Sequence, residues 1–189
     1  MEIKRAIEFG ENIREKITEL YVEGFFDDGL KFFSKDKVKL KKAFAPIFPI
    51  EYIYVAIIDD EIAGMIACMN KEKLSLNINM KNFVKHLGIF WGLLAYFGCK
   101  NNIRKFKIET DEKLAIPEFL LTSAKFRKQG VASTLMKYLL ALPEYKHYIV
   151  DIEDSNAAAL ELCKKIGFRE ISRKKIMLNL WIRLKYSKQ

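Results

Sequence analysis

The chain has 189 residues, of which 50% are hydrophobic and 30% charged, and its net charge is +9. This length suits one domain with a substantial core, and the composition excludes a disordered, collagen-like or linker-rich chain. We therefore treat residues 1–189 as a single domain. Met1 to Gly10 alternate in charge and lack the apolar stretch of a secretory leader, which predicts a cytoplasmic protein.

The positive charge is concentrated at the C-terminus. Residues 164–189 contain nine Lys or Arg and one acid, a net +8 over 26 residues. Such a segment is typical of nucleic-acid binding, and also of a protein that surrounds a polyanionic small molecule. We favour the small molecule, because the sequence has no aromatic motif of an RNA-recognition module.

Three cysteines, Cys68, Cys99 and Cys163, form no close pair, and only two histidines accompany them. A structural zinc site needs about four ligands, usually in close pairs. The sequence therefore predicts reduced thiols and no metal.

The first 50 residues predict a strand followed by two helices. Loose alternation predicts an edge strand over Ile3–Phe9, and apolar residues at three- and four-residue steps predict a helix that ends near Phe25. We place the N-cap of a second, lysine-rich helix at Ser34, and Pro46 and Pro49 end that helix.

Residues 51–58 and 62–69 are two apolar, β-prone runs separated by a short acidic segment. This arrangement predicts an antiparallel hairpin. Because both alternating faces are apolar, we expect the hairpin to be covered on both sides.

An apolar insert follows the hairpin, over about 74–107, with an acidic connection after it. Its centre, residues 87–99, has 13 positions without a charge, too few to span a bilayer. The apolar content favours a helix in spite of three glycines. Three interpretations are open. The segment is a buried helix, or it is an exposed apolar surface that forms either one wall of a binding groove for an acceptor substrate or the subunit interface of a homodimer, or it contacts a membrane surface.

Residues 117–141, PEFLLTSAKFRKQGVASTLMKYLLA, predict a strand, a basic loop and a helix. A helix start presents unpaired N–H groups and the positive end of the peptide dipole, which suits phosphate oxygens. The residues of this candidate phosphate site are Arg127, Lys128, Gln129, Gly130, Val131, Ala132 and Ser133.

The last third predicts a buried strand, a helix and a strand pair. The strand covers Tyr148–Ile152, and Asn156 begins a helix over Ala157–Ile166 that Gly167 ends in the left-handed conformation. Two strands then follow, over 168–171 and 176–184.

Two of these motifs resemble those of a known family. The spacing Arg127-x-x-Gly130-x-Ala132 after an apolar strand resembles the acyl-CoA signature of the GNAT superfamily of N-acetyltransferases. The helix from Asn156 to Gly167-Phe168 resembles the family's Asn-containing helix that ends in Gly-Phe. The resemblance implies an α/β (α+β) GNAT fold: a mixed, mostly antiparallel sheet of about six to seven strands, helices on both faces, and the apolar insert between the third and fourth strands.

The resemblance also implies a reaction: acetyl transfer from acetyl-CoA to a primary amine, by direct attack in a ternary complex and without a metal. The loop amides would hold the pyrophosphate, with the fourth strand pairing with the pantetheine arm through Leu120, Leu121 and Thr122. Asn156 would hydrogen-bond that arm or only cap its helix.

The sequence departs from the family pattern in the loop and at the catalytic acid. Lys128 replaces a common glycine, and Ala132 replaces the last one. Cys163 stands where a tyrosine usually protonates the leaving sulfur, so either its thiol or water would supply that proton, and the thiol is otherwise a small core residue.

Glu118 is the candidate general base, because strand alternation would place it on the face of Leu120 and Thr122. It could equally be an exposed residue at the start of a strand. Rival carboxylates on the preceding connection are Glu109, Asp111 and Glu112.

Other functions remain compatible with the sequence. The apolar insert would allow a longer acyl donor, and the missing tyrosine would suit a catalytically silent acyl-CoA-binding or regulatory domain. A nucleic-acid-binding protein that uses the basic C-terminal segment is a further alternative.

Overall fold

A seven-stranded mixed sheet forms the centre of the computed structural model, which describes residues 1–70, 77–103, 113–176 and 178–188. The strands are Glu2–Arg5 (β1), Ile53–Ile58 (β2), Glu61–Met69 (β3), Leu114–Thr122 (β4), His147–Glu153 (β5), Arg169–Ile176 (β6) and Asn179–Ser187 (β7). Their order is β1-β2-β3-β4-β5-β7-β6, and only β4 and β5 pair in parallel. The predicted mixed, mostly antiparallel sheet of six to seven strands is confirmed.

Helices cover both faces of the sheet. They are Ile13–Phe25 (α1), Lys37–Phe44 (α2), Met80–Leu87 (α3), Ile89–Ile103 (α4), Val131–Ala141 (α5) and Ala157–Ile166 (α6). Helices α1 to α4 share one apolar core with the sheet, which we call the first cluster. Helices α5 and α6 pack on the opposite face in the second cluster.

The predicted hairpin of β2 and β3 is confirmed. Asp59 and Asp60 both have positive φ, 50° and 61°, as the two central residues of a type I′ turn do. Along β2, Val55 points into the first cluster and Ala56 into the second. Burial on both faces explains why both alternating faces of the two strands are apolar beyond the acidic turn.

Two predicted boundaries near the N-terminus are wrong by a few residues. The first strand ends at Arg5, because Ala6–Phe9 form a 3₁₀ turn that buries Ala6. The second helix is capped by Asp36, whose Oδ1 accepts hydrogen bonds from the amides of Val38 (2.8 Å) and Lys39 (3.2 Å). A carboxylate at the N-cap satisfies two donors at once, which Ser34 does not do here.

The boundary between the last two strands was also predicted wrongly. Ile176 ends β6 and does not begin β7, since it pairs with Asn179 across the turn. Apolar residues continue through this turn, so the sequence pattern gives no sign of it.

The described part of the apolar insert is a pair of helices. Gly88, with φ of 81°, separates α3 from α4. The first residues of α4 are exposed, 73% for Ile89 and 70% for Phe90, so a simple buried helix is the wrong interpretation. The rest of the predicted insert, at 74–76 and 104–107, and most of the acidic connection lie outside the described residues.

Helices α3 and α4 touch through backbone at Gly92. A Cβ atom at this position would lie 2.6 Å from both N and Cα of Val84. Only glycine permits this approach.

Within the described ranges, no helix is long and apolar enough to cross a membrane.

We expect Gly92→Ala to destabilise the protein by about 1–3 kcal/mol, because the added methyl group would push against backbone atoms. Gly98→Ala is the matched control, since nothing lies within 4 Å of its Cβ position in the same helix. There the better helix propensity of Ala should add about 0.5–1 kcal/mol. Urea unfolding of both variants measures the difference, and equal effects would contradict the packing described for Gly92.

Candidate active site

The parallel strands β4 and β5 separate soon after they begin. They pair at two positions, Leu114 with His147 and Ala115 with Tyr148. No pairing joins the remainder of these two fully described strands. The separation leaves the β5-facing edge of β4 with free backbone groups beside an opening in the sheet.

A β-bulge lies in β4 beside this opening. Glu118 pairs with Ala67 and Leu121 with Met65, so the single residue between the two on β3 faces Phe119 and Leu120 together. Phe119 has a φ of 52°, the left-handed conformation that side chains rarely adopt. The extra residue re-aims every side chain that follows it.

The bulge makes the predicted shared face of Glu118, Leu120 and Thr122 wrong. Glu118 lies opposite Ala67, on the first-cluster face. Leu120 packs against the second cluster, and Thr122 lies opposite Gly64 on that same side. Leu121 faces the first cluster. Strict alternation fails because a bulge shifts the parity of the strand by one residue.

The predicted phosphate loop leads into the start of α5. Lys128 and Gly130 both have positive φ, 62° and 81°, and Gly130 is the N-cap of the helix. The side chains of Arg127, Lys128 and Gln129 are exposed, whereas that of Val131 is buried. None of the amides of Gly130, Val131, Ala132 and Ser133 makes a hydrogen bond of good geometry to a described group. A row of free donors therefore faces outward at the positive end of the helix dipole.

Gly64 of β3 brings the start of α5 close to β4. A Cβ atom there would lie 2.6 Å from the carbonyl oxygen of Leu121 and 2.7 Å from Cγ1 of Val131. The absence of a side chain thus lets the buried Val131 anchor the helix directly over the strand. The free amides consequently lie close to the C-terminal end of β4.

Glu118 is half-buried on the first-cluster side of the opening. Burial, and then the charge of Asp151, raise the pKa of this carboxyl from 4.5 to about 7. A carboxylate with such a pKa is partly ionised near neutral pH, which suits a general base.

Asp151 stands across the opening from Glu118. Each residue lies four positions beyond the pair Leu114 and His147, so they occupy equivalent positions of the two parallel strands. Arg183 of β7 holds the Asp151 carboxylate through two hydrogen bonds, of 2.8 and 2.9 Å. This bidentate pair fixes a second carboxylate on the same face of the sheet. Asp151 was not among the site residues predicted from the sequence. The signal that points to it is the parallel register of β4 and β5, which aligns it with Glu118.

An aromatic group lines the α1 side of β4. The Tyr21 ring lies 5.0 Å from Phe48 and 6.0 Å from Phe119, between ring centroids. Burial raises the pKa of Tyr21, so its hydroxyl stays protonated. Gly24 allows α1 to approach the strand, since a Cβ there would lie 3.0 Å from Cδ2 of Leu121. The buried Phe48 ring supports the half-buried rings of Tyr21 and Phe119, which give the opening one apolar wall.

Two other predicted site residues lie in the α6 segment. Cys163 is 2% exposed in the second cluster, and burial raises the pKa of its thiol to about 11. Asn156 caps α6, as its Oδ1 accepts a hydrogen bond of 3.1 Å from the Ala159 amide. Capping is thus the role that the structure gives to the Asn156 side chain.

The rival carboxylates Glu109, Asp111 and Glu112 lie outside the described residues. Among the described residues, no group of three or more His, Cys, Asp or Glu side chains could hold a metal ion. The predicted site residues that the structure brings to the opening are thus Glu118, the β4 residues Leu120 to Thr122, and the start of α5.

Comparison with known proteins gives a family. The acetyltransferase (GNAT) family matches residues 14–168, most of the chain. No curated protein sequence matches it.

Several solved structures share the fold over the full length. One is described as an acetyltransferase, with a TM-score of 0.65, 16% identity and 99% of each chain covered. An N-acetyltransferase from Staphylococcus aureus Mu50 has a TM-score of 0.63 at 20% identity, covering 98% of this chain and 100% of its own. A ribosomal-protein-alanine N-acetyltransferase from Brucella melitensis has a TM-score of 0.62 at 13% identity, with both chains fully covered. At these identities the likeness concerns the fold alone.

The raised pKa of Glu118 predicts a pH-dependent stability. The folded pKa, about 7, exceeds the ordinary 4.5, so the stability that the protonated carboxyl contributes is complete below pH 4.5 and is lost as the pH rises through 7. Glu118→Gln cannot ionise, and its Tm should therefore gain on that of the wild type between about pH 5 and pH 8.

Differential scanning fluorimetry across this range measures the trend. Glu170→Gln is the control, because the hydrogen bond from Arg173 lowers the pKa of Glu170 and gives any trend the opposite sign. A constant Tm difference for Glu118→Gln would contradict the assigned burial.

Proposed function

Because the chain belongs to the GNAT acetyltransferase family, we propose that it transfers an acetyl group from acetyl-CoA to a primary amine. The acceptor and the site residues are part of this proposal. The observation that carries it is the row of free amides at the start of α5 beside the open edge of β4.

The residues at the α5 start fit a diphosphate. Four adjacent amides have no acceptor among the described groups, and nothing lies within 4 Å of the Cβ position of Gly130. Oxygens of a diphosphate can therefore approach main chain without meeting a side chain. Arg127 and Lys128 add positive charge at the mouth of this site. Gln129 is fixed to its own loop by a 3.3 Å hydrogen bond to the Lys125 carbonyl.

The pantetheine arm would lie along the open edge of β4, against the backbone of Leu120, Leu121 and Thr122. When bound, acetyl-CoA supplies the acetyl thioester. The strand supplies N–H and C=O groups that β5 leaves unpaired. The arm would thus be oriented by hydrogen bonds that do not depend on side chains. Asn156 would have only an indirect part in the site, as the N-cap of α6.

Glu118 would accept the proton of the attacking amine. An alkylammonium has a pKa of about 10, so the acceptor arrives mostly as a cation and must lose a proton before it can attack. Glu118 lies on the face of the sheet that the apolar wall borders, where bulk water is partly excluded. Its raised pKa makes it a stronger base than an ordinary carboxylate.

Asp151 would assist Glu118 across the opening. Its charge favours the protonated form of Glu118, and with that carboxylate it attracts the ammonium group of the acceptor. Arg183 keeps the Asp151 carboxylate in place. The three groups together carry a net charge of −1 when both carboxylates are ionised, which one ammonium neutralises.

We infer that Cys163 contributes packing and not acid catalysis. Its thiol is buried in the second cluster. Water would then protonate the leaving thiolate.

A catalytically silent acyl-CoA-binding domain is the second candidate. The specific observation that favours it is Cys163 at the position of the usual tyrosine. Both candidates predict that acetyl-CoA raises the Tm by mass action. Only the enzyme releases free thiol when amines are added, so a screen of amines, N-terminal peptides and lysine peptides with a thiol-reactive dye distinguishes them.

The phosphate site can be tested with Ala132→Asp. A carboxylate in the first turn of a helix stabilises the helix itself but repels a diphosphate from the same amides. We expect the variant to keep its Tm and to lose the increase that acetyl-CoA gives the wild type.

Val38→Asp is the control for this substitution, because Val38 occupies the same position of α2 and is 55% exposed. Its response to acetyl-CoA should equal that of the wild type. A normal acetyl-CoA response in Ala132→Asp would place the diphosphate elsewhere.

The proposed base can be tested by kinetics. Glu118→Gln should lower kcat by about 100-fold or more, since it removes the proton acceptor and preserves the shape of the side chain. Wild-type kcat/KM should rise with pH through an apparent pKa near 7, and Asp151→Asn should move that pKa downward. Cys163→Ala should turn over within about twofold of the wild type, as expected of a packing residue. An unchanged rate and pH profile in Glu118→Gln would remove Glu118 from the mechanism.

A further inference from the structure

Exposed apolar side chains form a continuous surface where α4 begins. Phe32, in the connection between α1 and α2, is 64% exposed, and its ring lies 4.9 Å from that of Trp91. Trp91 in turn lies 5.0 Å from Phe90. One face of α4 continues this surface at three- and four-residue steps. We call it the aromatic patch, and its exposed members are Phe32, Ile89, Phe90, Leu94 and Phe97.

The patch is exposed at a junction between two helices and is held there by backbone contacts. The break at Gly88 places Ile89 and Phe90 at a corner between two helices. The close approach at Gly92 holds α4 on α3. The side-chain Nδ2 of Asn82 in α3 donates a hydrogen bond of 2.8 Å to the carbonyl oxygen of Ala43 in α2. The apolar side chains therefore project from a fixed framework.

The segments that carry and flank the patch are strongly basic. Residues 26–44 contain six lysines and three aspartates, and residues 77–100 contain three lysines and no acid, a net charge of +6. Lys81 and Lys85 are exposed on these segments, and Lys31 is exposed but paired with Asp27 at 3.0 Å. An apolar centre with a positive surround is complementary to a surface of apolar chains beneath anionic headgroups.

From this complementarity we propose that the aromatic patch binds the surface of an anionic lipid bilayer. The rings and Ile89 would enter the boundary between headgroups and acyl chains, and the lysines would contact lipid phosphates and carboxylates. Association would be peripheral and reversible, because few side chains enter the bilayer. Lipid binding of this kind does not depend on the proposed acetyl transfer.

A second copy of the chain fits the patch less well. In a symmetric dimer the same surface contacts itself, so the lysines around each patch would face those of the partner copy. A stable protein interface also uses about 20–30 residues from each partner and a complementary shape. A fluid bilayer adapts to the shape of the patch and supplies the opposite charge.

The patch lies on the acceptor side of the sheet. Trp91 packs against the first cluster, and so does Cys99 further along α4. The first cluster also contains Tyr21 and Phe119 of the apolar wall. Docking through the patch would therefore turn the face that carries Glu118 towards the lipid surface.

Vesicle sedimentation tests this inference directly. We expect the full chain to bind vesicles of phosphatidylcholine with about 30% phosphatidylserine, and to bind pure phosphatidylcholine vesicles much less. Replacing both Ile89 and Phe90 by Ser should weaken binding by about tenfold or more, because the inserting side chains are lost. Both residues are largely exposed, so the Tm of this variant should stay close to that of the wild type.

Two controls distinguish binding through the patch from non-specific apolar binding and from non-specific electrostatic binding. Leu178→Ser removes the most exposed large apolar residue outside the patch, at 92%, and should leave vesicle binding unchanged. A variant with Lys174→Gln and Lys175→Gln removes two exposed charges from β6, whereas one with Lys81→Gln and Lys85→Gln removes two beside the patch. Only the variant that loses the charges of Lys81 and Lys85 should bind the vesicles severalfold more weakly.

Three outcomes would overturn the inference: no binding to the anionic vesicles, equal weakening by both lysine pairs, or full binding after Ile89 and Phe90 are replaced. Light scattering adds a fourth. A dimer that the Ile89 and Phe90 replacements dissociate, without vesicle binding, would assign the patch to a second copy of the chain.

Discussion

The candidate site depends on the loss of pairing between β4 and β5 after Ala115. Had the two parallel strands stayed paired, β4 would have no free edge and Glu118 would face Asp151 within a closed sheet. The bulge at Phe119 adds to this by turning Glu118 and Leu121 to one side and Leu120 and Thr122 to the other. A residue in the left-handed conformation costs on the order of 1–3 kcal/mol, and the ring contacts of Phe119 with Tyr21 and Phe48 help to offset that cost.

The start of α5 becomes useful only because of where it is placed. A helix start with free amides is common, but here Gly64 of β3 allows Val131 to pack closely over the β3–β4 pair, near the end of β4. Main-chain groups of two elements thereby converge on one opening. Substrate orientation would then rest on the backbone, and the side chains that vary freely in charge and size are left to select the acceptor.

The sequence predicted elements well where local chemistry decides them. Gly167 in the left-handed conformation, the apolar hairpin of β2 and β3, and the helix that follows Gly130 all follow from turn, cap and periodicity rules. The face of Glu118 could not be predicted, because a bulge is decided by tertiary contacts and leaves the alternating pattern of β4 intact. The pairing of Asp151 with Arg183 is likewise non-local, since 32 residues separate the partners. Exposure of Ile89 and Phe90 contradicts the usual preference of such residues for burial.

The narrow junction between β4 and β5 has a mechanical consequence. Among the described residues, backbone hydrogen bonds link the two halves of the sheet where β4 and β5 begin, over Lys113 to Ala115, and beyond that point side chains of the second cluster make the connection. Such a joint resists twisting less than a fully laddered sheet does, so the halves can rock about it. A molecule that binds across the opening would contact both halves of the sheet and restrict their relative motion. Part of its binding free energy would then offset the conformational entropy that the sheet loses.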